Sequence, residues 1–260
     1  MTPTVPPFAE LMAPQHWRTV DFISDLHLQA SEPITWQGFV RYLRTTPADA
    51  VFILGDLFEV WVGDDALAEP GDFEAMACAA LRGASEAGRA LFFLHGNRDF
   101  LIGPNFAAAS GTTLLHDPTV LVWQGQRYLL SHGDALCLDD VDYQRFRTES
   151  RGTEWRSHFL SQPLAVRRAQ ARGIREQSEA RKRAAVHYAD VDTPAARAWL
   201  QAARARTLVH GHTHRPARHA LGDGMERWVL SDWELDAQPP RADVLRLNAP
   251  GLEPERITPT

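Results

Sequence analysis

Five short apolar runs, each ending in a polar cluster, constrain this chain more than any other feature. Val20–Ser24 leads into Asp25-Leu26-His27. Val51-Phe52-Ile53-Leu54 leads into Gly55-Asp56. Leu91-Phe92-Phe93-Leu94 leads into His95-Gly96-Asn97-Arg98-Asp99. Tyr128-Leu129-Leu130 leads into Ser131-His132-Gly133-Asp134, and Thr207-Leu208-Val209 into His210-Gly211-His212-Thr213-His214. Runs so short and so continuously apolar have the character of buried strands. Helical spacing appears between the first three, at 35–45 and 72–88. In the second of these Phe73, Met76, Ala77, Ala80 and Leu81 share a face. Strand alternating with helix predicts an α/β layered fold. Residues 119–131 read as a hairpin, and 226–233 and 243–247 as closing strands, so the sheets are expected to be mixed.

Residues 140–203 have a different composition, rich in Ala, Arg and Gln, with no convincing strand. They are expected to be helical, broken near Pro163 and Gly173. They would form a cap inserted in one domain spanning 18–260. From Arg151 to Arg183, nine Lys or Arg face three acids, in a chain of net charge -6. With no global basic field, nucleic acid is not an expected partner. Residues 1–17 carry four prolines and read as a flexible extension rather than a secretory signal. No apolar run approaches the roughly 20 residues that cross a bilayer. Two distant cysteines fit a reducing compartment. A cytoplasmic location is expected, with contact at a membrane surface left open, and no obligatory protein partner.

The clusters carry the chemistry. Asp25 and His27, two apart after a strand, can reach one ion; the plain alternative is a helix-capping Asp with an incidental His. Gly55 permits a sharp turn that brings Asp56 to the end of the sheet, where its two oxygens can bridge two cations. Asn97 offers a neutral oxygen, and Arg98 can pair with a phosphate in bidentate fashion. Taken alone, these loops would be ordinary turns. His212 and His214, two apart, point the same way if extended. Together the loops supply Asp25, His27, Asp56, Asn97, His132, His212 and His214. Seven ligands of mixed type are too many for one catalytic ion. They suit two ions about 4 Å apart, as in two-metal hydrolases.

The order D-x-H, GD, GNRD, GH-x-H resembles the calcineurin-like metallophosphoesterase superfamily, over residues 25–214. By that resemblance Asp25, His27 and His214 hold one metal. Asn97, His132 and His212 hold the other, and Asp56 bridges them. Longer strings are similar to one branch, the UDP-2,3-diacylglucosamine pyrophosphohydrolases of lipid A biosynthesis. They are Leu54-Gly55-Asp56-Leu57-Phe58-Glu59, Trp61-Val62-Gly63-Asp64-Asp65, His95-Gly96-Asn97-Arg98-Asp99-Phe100 and His210-Gly211-His212-Thr213-His214-Arg215-Pro216. This likeness implies manganese and water attack on the pyrophosphate. It implies catalysis by Asp56, Asn97, Arg98 and His212, release of UMP, and a helical cap that holds acyl chains at the inner membrane face. It implies substrate contacts from Asn97, Arg98, Asp140, Tyr143, Arg175, Ser178, Lys182 and His212. Lys182 and Ala185 depart from the expected Asn and Lys. Trp155, Phe159, Leu160, Leu164 and Val166 are expected to form the apolar side of an interfacial helix. The rival expectations are another metal-dependent phosphodiesterase or nucleotide pyrophosphatase, and a non-catalytic scaffold of the same fold.

Overall fold

Helices α1 (Pro33–Thr45), α2 (Phe73–Glu86) and α3 (Pro104–Ser110) alternate with strands β2 (Thr19–Ile23), β3 (Ala50–Leu54), β4 (Ala90–Leu94) and β5 (Thr113–Leu115). The computed structural model describes residues 4–68, 71–184, 189–248 and 254–258, without the side chains of 175–184. Strands β2 to β5 run parallel. Strand β11 (Val244–Asn248) pairs antiparallel with β2, and β12 (Glu255–Ile257) antiparallel with β11, in the order β12-β11-β2-β3-β4-β5. The second sheet uses β1 (Ala9–Met12), β6 (Thr119–Trp123), β7 (Gln126–Leu130), β8 (Thr207–His210), β9 (Ala217–Gly222) and β10 (Met225–Val229). Its order is β1-β6-β7-β8-β10-β9, with β7, β8 and β10 parallel. The expected α/β architecture of mixed sheets flanked by helices is present, with two six-stranded sheets.

The pleat explains the layers. Val20, Phe22, Phe52, Leu54, Phe92 and Leu94 point from the first sheet toward Leu121, Leu130, Val209 and Trp228 of the second. Phe22 stacks on Phe52 at 5.3 Å between centroids, and Phe52 on Phe92 at 4.7 Å. On the other face Ile23, Ile53 and Phe93 pack against Phe39 of α1, Leu81 of α2 and Phe106 of α3. Each such fully buried side chain contributes about 1.5–3 kcal/mol. Strands buried on both faces need apolar residues at every position, hence the continuous runs. Local signals set the helix ends. Pro33 starts α1, and Pro47 forces Thr46 out of helical geometry, at ψ 133°.

Several expectations need correction. Met76 is 47% exposed, because α2 buries Ala77, Cys78, Leu81 and Ala84 instead. Part of the 1–17 extension is a strand. β1 pairs in parallel with β6, and Trp17 is buried between the sheets. Among residues 140–203, α4 (Val141–Ser150), α5 (Thr153–Leu160), α6 (Leu164–Ala184) and α7 (Thr193–Ala202) form. The break at Pro163 is observed, but α6 runs through Gly173. A glycine inside a helix costs only about 1 kcal/mol and does not by itself end it. α7 buries Ala196, Trp199 and Leu200 against Val120, Leu129 and Leu208, so it covers the outer face of the second sheet. α5 and α6 instead join the helical layer of the first sheet through Trp155, Phe159, Leu164 and Ala171.

Candidate metal centre

All five polar clusters emerge at one end of the two sheets. Ile23 lies beside Ile53 and Leu54 beside Leu94, so the loops after β2, β3 and β4 leave together. Leu130 lies beside Val209, which aligns the loops after β7 and β8. Ligands can then converge without any long-range reach, as is usual at the carboxyl ends of parallel strands.

The backbone there is unusual. Asp25, His27, Asp56, His212 and His214 all adopt left-handed conformations, with φ between 47° and 68°. Such geometry costs on the order of 1–3 kcal/mol per non-glycine residue and clusters at functional sites. Two glycines make the close approach possible. A Cβ on Gly55 would lie 2.6 Å from Gly96 Cα, and one on Gly96 would lie 2.0 Å from Asp56 Oδ1.

The seven side chains read from the sequence meet in one cluster. His214 Nε2 lies 3.2 Å from Asp25 Oδ1 and 3.4 Å from His27 Nε2. Asn97 Oδ1 lies 3.0 Å from His132 Nε2 and 2.8 Å from His212 Nδ1. Asp56 faces both groups, with Oδ2 4.0 Å from His27 Nε2 and Oδ1 3.6 Å from His132 Nε2. Ligand atoms of Asp25, His27 and His214 lie within 4.8 Å of one another, as do those of Asp25, Asp56 and His132. These are hard oxygens and imidazoles, a set suited to manganese or a similar divalent ion.

The electrostatics also favour cations. Burial opposes a charge on His132, but the carboxylates of Asp56 and Asp25 outweigh it and push its pKa up to about 9. Burial likewise opposes ionisation of Asp25, and His214 outweighs it, holding the carboxyl well below its usual range. His27 is raised: burial resists, while Glu59 and Asp56 dominate. A site that holds protons on its imidazoles is a site of negative potential, and a divalent cation answers that potential better than protons do.

Supporting groups fix the candidate ligands. His132 Nδ1 lies 2.8 Å from the Leu54 carbonyl, which leaves Nε2 toward the centre. His27 Nδ1 lies 3.0 Å from Glu59, and Glu59 is also 3.7 Å from Arg98 Nη1. This carboxylate–histidine pair is typical of metal sites. Glu59 was not among the candidates from the sequence, although its place three residues after Asp56 was visible. Asp99 accepts from the backbone N–H groups of Gly96 and Leu57 at 2.9 and 2.7 Å, and so holds the Asp56 turn. Burial and the nearby Asp56 push its pKa up to about 7. Cys137 is buried, its thiol pushed up to about 12 by burial, and fits a packed rather than reactive role.

A cavity of about 370 Å³ opens over the cluster, lined in part by His27, Asp56, Asn97, Arg98, His212 and His214. None of the described residues of 140–203 lines this cavity. Tyr143 sets its ring 6.0 Å from that of His212 and donates its hydroxyl to Asp134. Asp140 is exposed and accepts from Tyr143 N at 3.1 Å as the cap of α4; it does not line the cavity. The side chains of Arg175, Ser178 and Lys182 lie outside the described residues, as does Ala185.

The surface of α5 and α6 differs from the interfacial helix expected. Trp155 and Phe159 stack on each other at 4.7 Å and pack into the core, with Leu164 beside them. Leu160 and Val166 remain exposed, joined by Ile174. Arg167 is 1% exposed and pairs with Asp65, and Arg168 pairs with Asp72. Part of the basic run is therefore internal structure. Among the described residues, no helix is long and apolar enough to cross a membrane.

The family model for calcineurin-like phosphoesterases matches residues 18–216. Three proteins named UDP-2,3-diacylglucosamine hydrolase are similar along most of their length. The one from Ralstonia nicotianae is 45% identical over 251 residues, 92% of each chain. The one from Chromobacterium violaceum is 48% identical over 218 residues, 82% of this chain and 90% of that one. The one from Xanthomonas oryzae pv. oryzae is 41% identical over 252 residues, 92% and 99% respectively.

Proposed function

The chain belongs to the calcineurin-like phosphoesterase family, and from that premise we propose that it hydrolyses the pyrophosphate bond of UDP-2,3-diacylglucosamine. The products are UMP and 2,3-diacylglucosamine 1-phosphate. The observation that carries the reading is the convergence of seven nitrogen and oxygen donors, Asp56 at their centre, at one strand-end edge.

Asp25, His27 and His214 would hold one divalent cation, and Asn97, His132 and His212 the other, with Asp56 shared; manganese is the proposed ion. When bound, such a pair supplies Lewis acidity to the phosphoryl oxygens and lowers the pKa of a water molecule. The protein's own side chains do the positioning. Glu59 orients His27 and steadies Arg98. Arg98 takes the charge that builds on the phosphoryl oxygens during in-line attack. Asp99 keeps the Asp56 turn in its left-handed form. Tyr143, at the start of α4, faces His212 and would meet the lipid half of the substrate. Asp140, Arg175, Ser178 and Lys182 are proposed further contacts from the cap. The exposed Leu160, Val166 and Ile174 support peripheral contact with the inner membrane face, where the substrate resides, and a cytoplasmic location otherwise. In this proposal residues 18–260 act as one domain, with α4 to α6 as its cap.

The test compares UDP-2,3-diacylglucosamine with the unacylated UDP-sugar, using the manganese-loaded protein. A strong preference for the acylated compound is expected. Equal rates on both would overturn the lipid assignment and favour a general nucleotide pyrophosphatase.

A further inference from the structure

The cavity over the metal cluster extends well beyond it, and its far lobe has a distinct chemistry. It runs past His27 and His214 toward the amino end of α1 and the 232–241 loop. Its wall there includes Gln29, Glu32, Thr35, Trp233, Glu234 and Arg241. None of the described side chains of α4 to α6 lines it. The loop is held to the metal edge rather than hanging free. Trp233 N donates to the Asp25 carbonyl at 2.9 Å, and Glu234 and Arg241 bond each other's backbone at 2.7 and 3.0 Å. Arg241 is engaged with Asp232 at 2.9 Å and with Glu234. Trp233 is 3% exposed, and its indole N–H is buried without a hydrogen-bond partner.

Charge separates the two sides of the cluster. The far lobe carries Glu32, Asp232 and Glu234 beside the metal-edge acid Glu59, with its one lining arginine beyond Arg98 already paired. A doubly charged sugar phosphate would meet repulsion there. Neutral hydroxyls and amide-like groups would instead find carboxylate acceptors and the Gln29 amide. On the cap side Arg147 and Arg151, from α4 and its end, pair with the buried Asp134.

On the strength of the proposed function, we infer that this far lobe seats the nucleoside half of the substrate. Glu32 and Glu234 accept from the ribose hydroxyls, and the pyrimidine ring lies toward Trp233. The α-phosphate then sits over the metals, and the acylated sugar phosphate leaves toward the cap. Carboxylates are the usual partners of a ribose diol.

Calorimetric titration of the manganese-loaded full chain with UMP, with its 2′,3′-dideoxy analogue and with inorganic phosphate tests this. In the unaltered protein, UMP should bind at least about tenfold tighter than the dideoxy analogue, the scale set by hydrogen bonds to charged groups. The Glu32→Gln/Glu234→Gln protein should lose that advantage while its phosphate affinity stays within about twofold. Equal binding of UMP and the dideoxy analogue by the unaltered protein would overturn the inference. So would a parallel loss of phosphate affinity in the variant. A protein that binds UMP as described yet hydrolyses no acylated substrate would leave the subsite standing and defeat the lipid reading instead.

Discussion

The strand-end edge lines the cavity over the candidate metal centre, whereas the described side chains of α4 to α6 stand beside it without lining it, and the two regions are held in place by different means. At the edge, five loops depart from strands whose faces are buried between and beneath layers of Phe, Ile and Leu. Position follows from sheet register, and five of the candidate ligands take left-handed turns that the surrounding bonds impose. The helices are attached by side chains instead. Arg167 reaches Asp65 and the Val62 carbonyl, and Arg151 reaches both Asp134 and the Gly96 carbonyl, at 3.2 and 3.0 Å. The first arrangement builds a rigid centre whose parts are interdependent. The second rests on a few ion pairs and hydrogen bonds between side chains and loops.

That contrast can be broken most severely at the edge. His132→Ala should lower kcat/KM by more than about a hundredfold, above the range typical of outer-shell partners, with a matching loss of manganese in a metal titration. A loss under tenfold with metal retained would show that the loops do not depend on one another. Glu59→Gln comes next. Through His27 and Arg98 it should reduce metal affinity or activity by roughly 10–100-fold, and an unchanged value for both would remove Glu59 from the account.

On the cap side a smaller effect is expected. Arg151→Ala should cut kcat by up to about tenfold, the low end for such partners, with manganese affinity nearly unchanged. A large loss of metal would mean that the cap and the edge form one unit and that the comparison is wrong.

The metal-free protein sharpens the difference through pH. His132 is raised to about 9 from an unfolded value near 6.5. A raised histidine stabilises the folded state fully below the unfolded value and loses that contribution as pH rises through the folded one. The Tm of the metal-free chain should therefore fall between about pH 6.5 and 9. Manganese should restore it increasingly over the same interval, because protons compete with the metal for the imidazoles. A metal-free Tm that rises across this window would contradict the geometry around His132.

What could be read from the sequence follows the same division. The runs ending at Ser24, Leu54, Leu94, Leu130 and Val209 are legible because burial on both faces demands continuous apolar residues. Their loops carry the ligands at fixed short distances. Residues 9–12 were obscured by the prolines around them, although Leu11 packs against the core and the segment pairs with β6. Gly173 suggested a break, but solvent-facing helix positions tolerate glycine. Trp155 and Phe159 looked like membrane-facing residues because composition does not reveal which side of a short helix meets the core. Glu59 escaped notice because its role depends on a rotation toward His27 that spacing alone does not specify.

The central claim is that one carboxylate, Asp56, joins two cation sites into a hydrolytic centre. Measuring bound manganese per chain together with hydrolysis of UDP-2,3-diacylglucosamine, for the unaltered protein and for Asp56→Ala, tests it most directly. Two ions and turnover are expected in the first, and loss of bound metal with loss of turnover in the second. Unchanged metal content and activity in Asp56→Ala would contradict it.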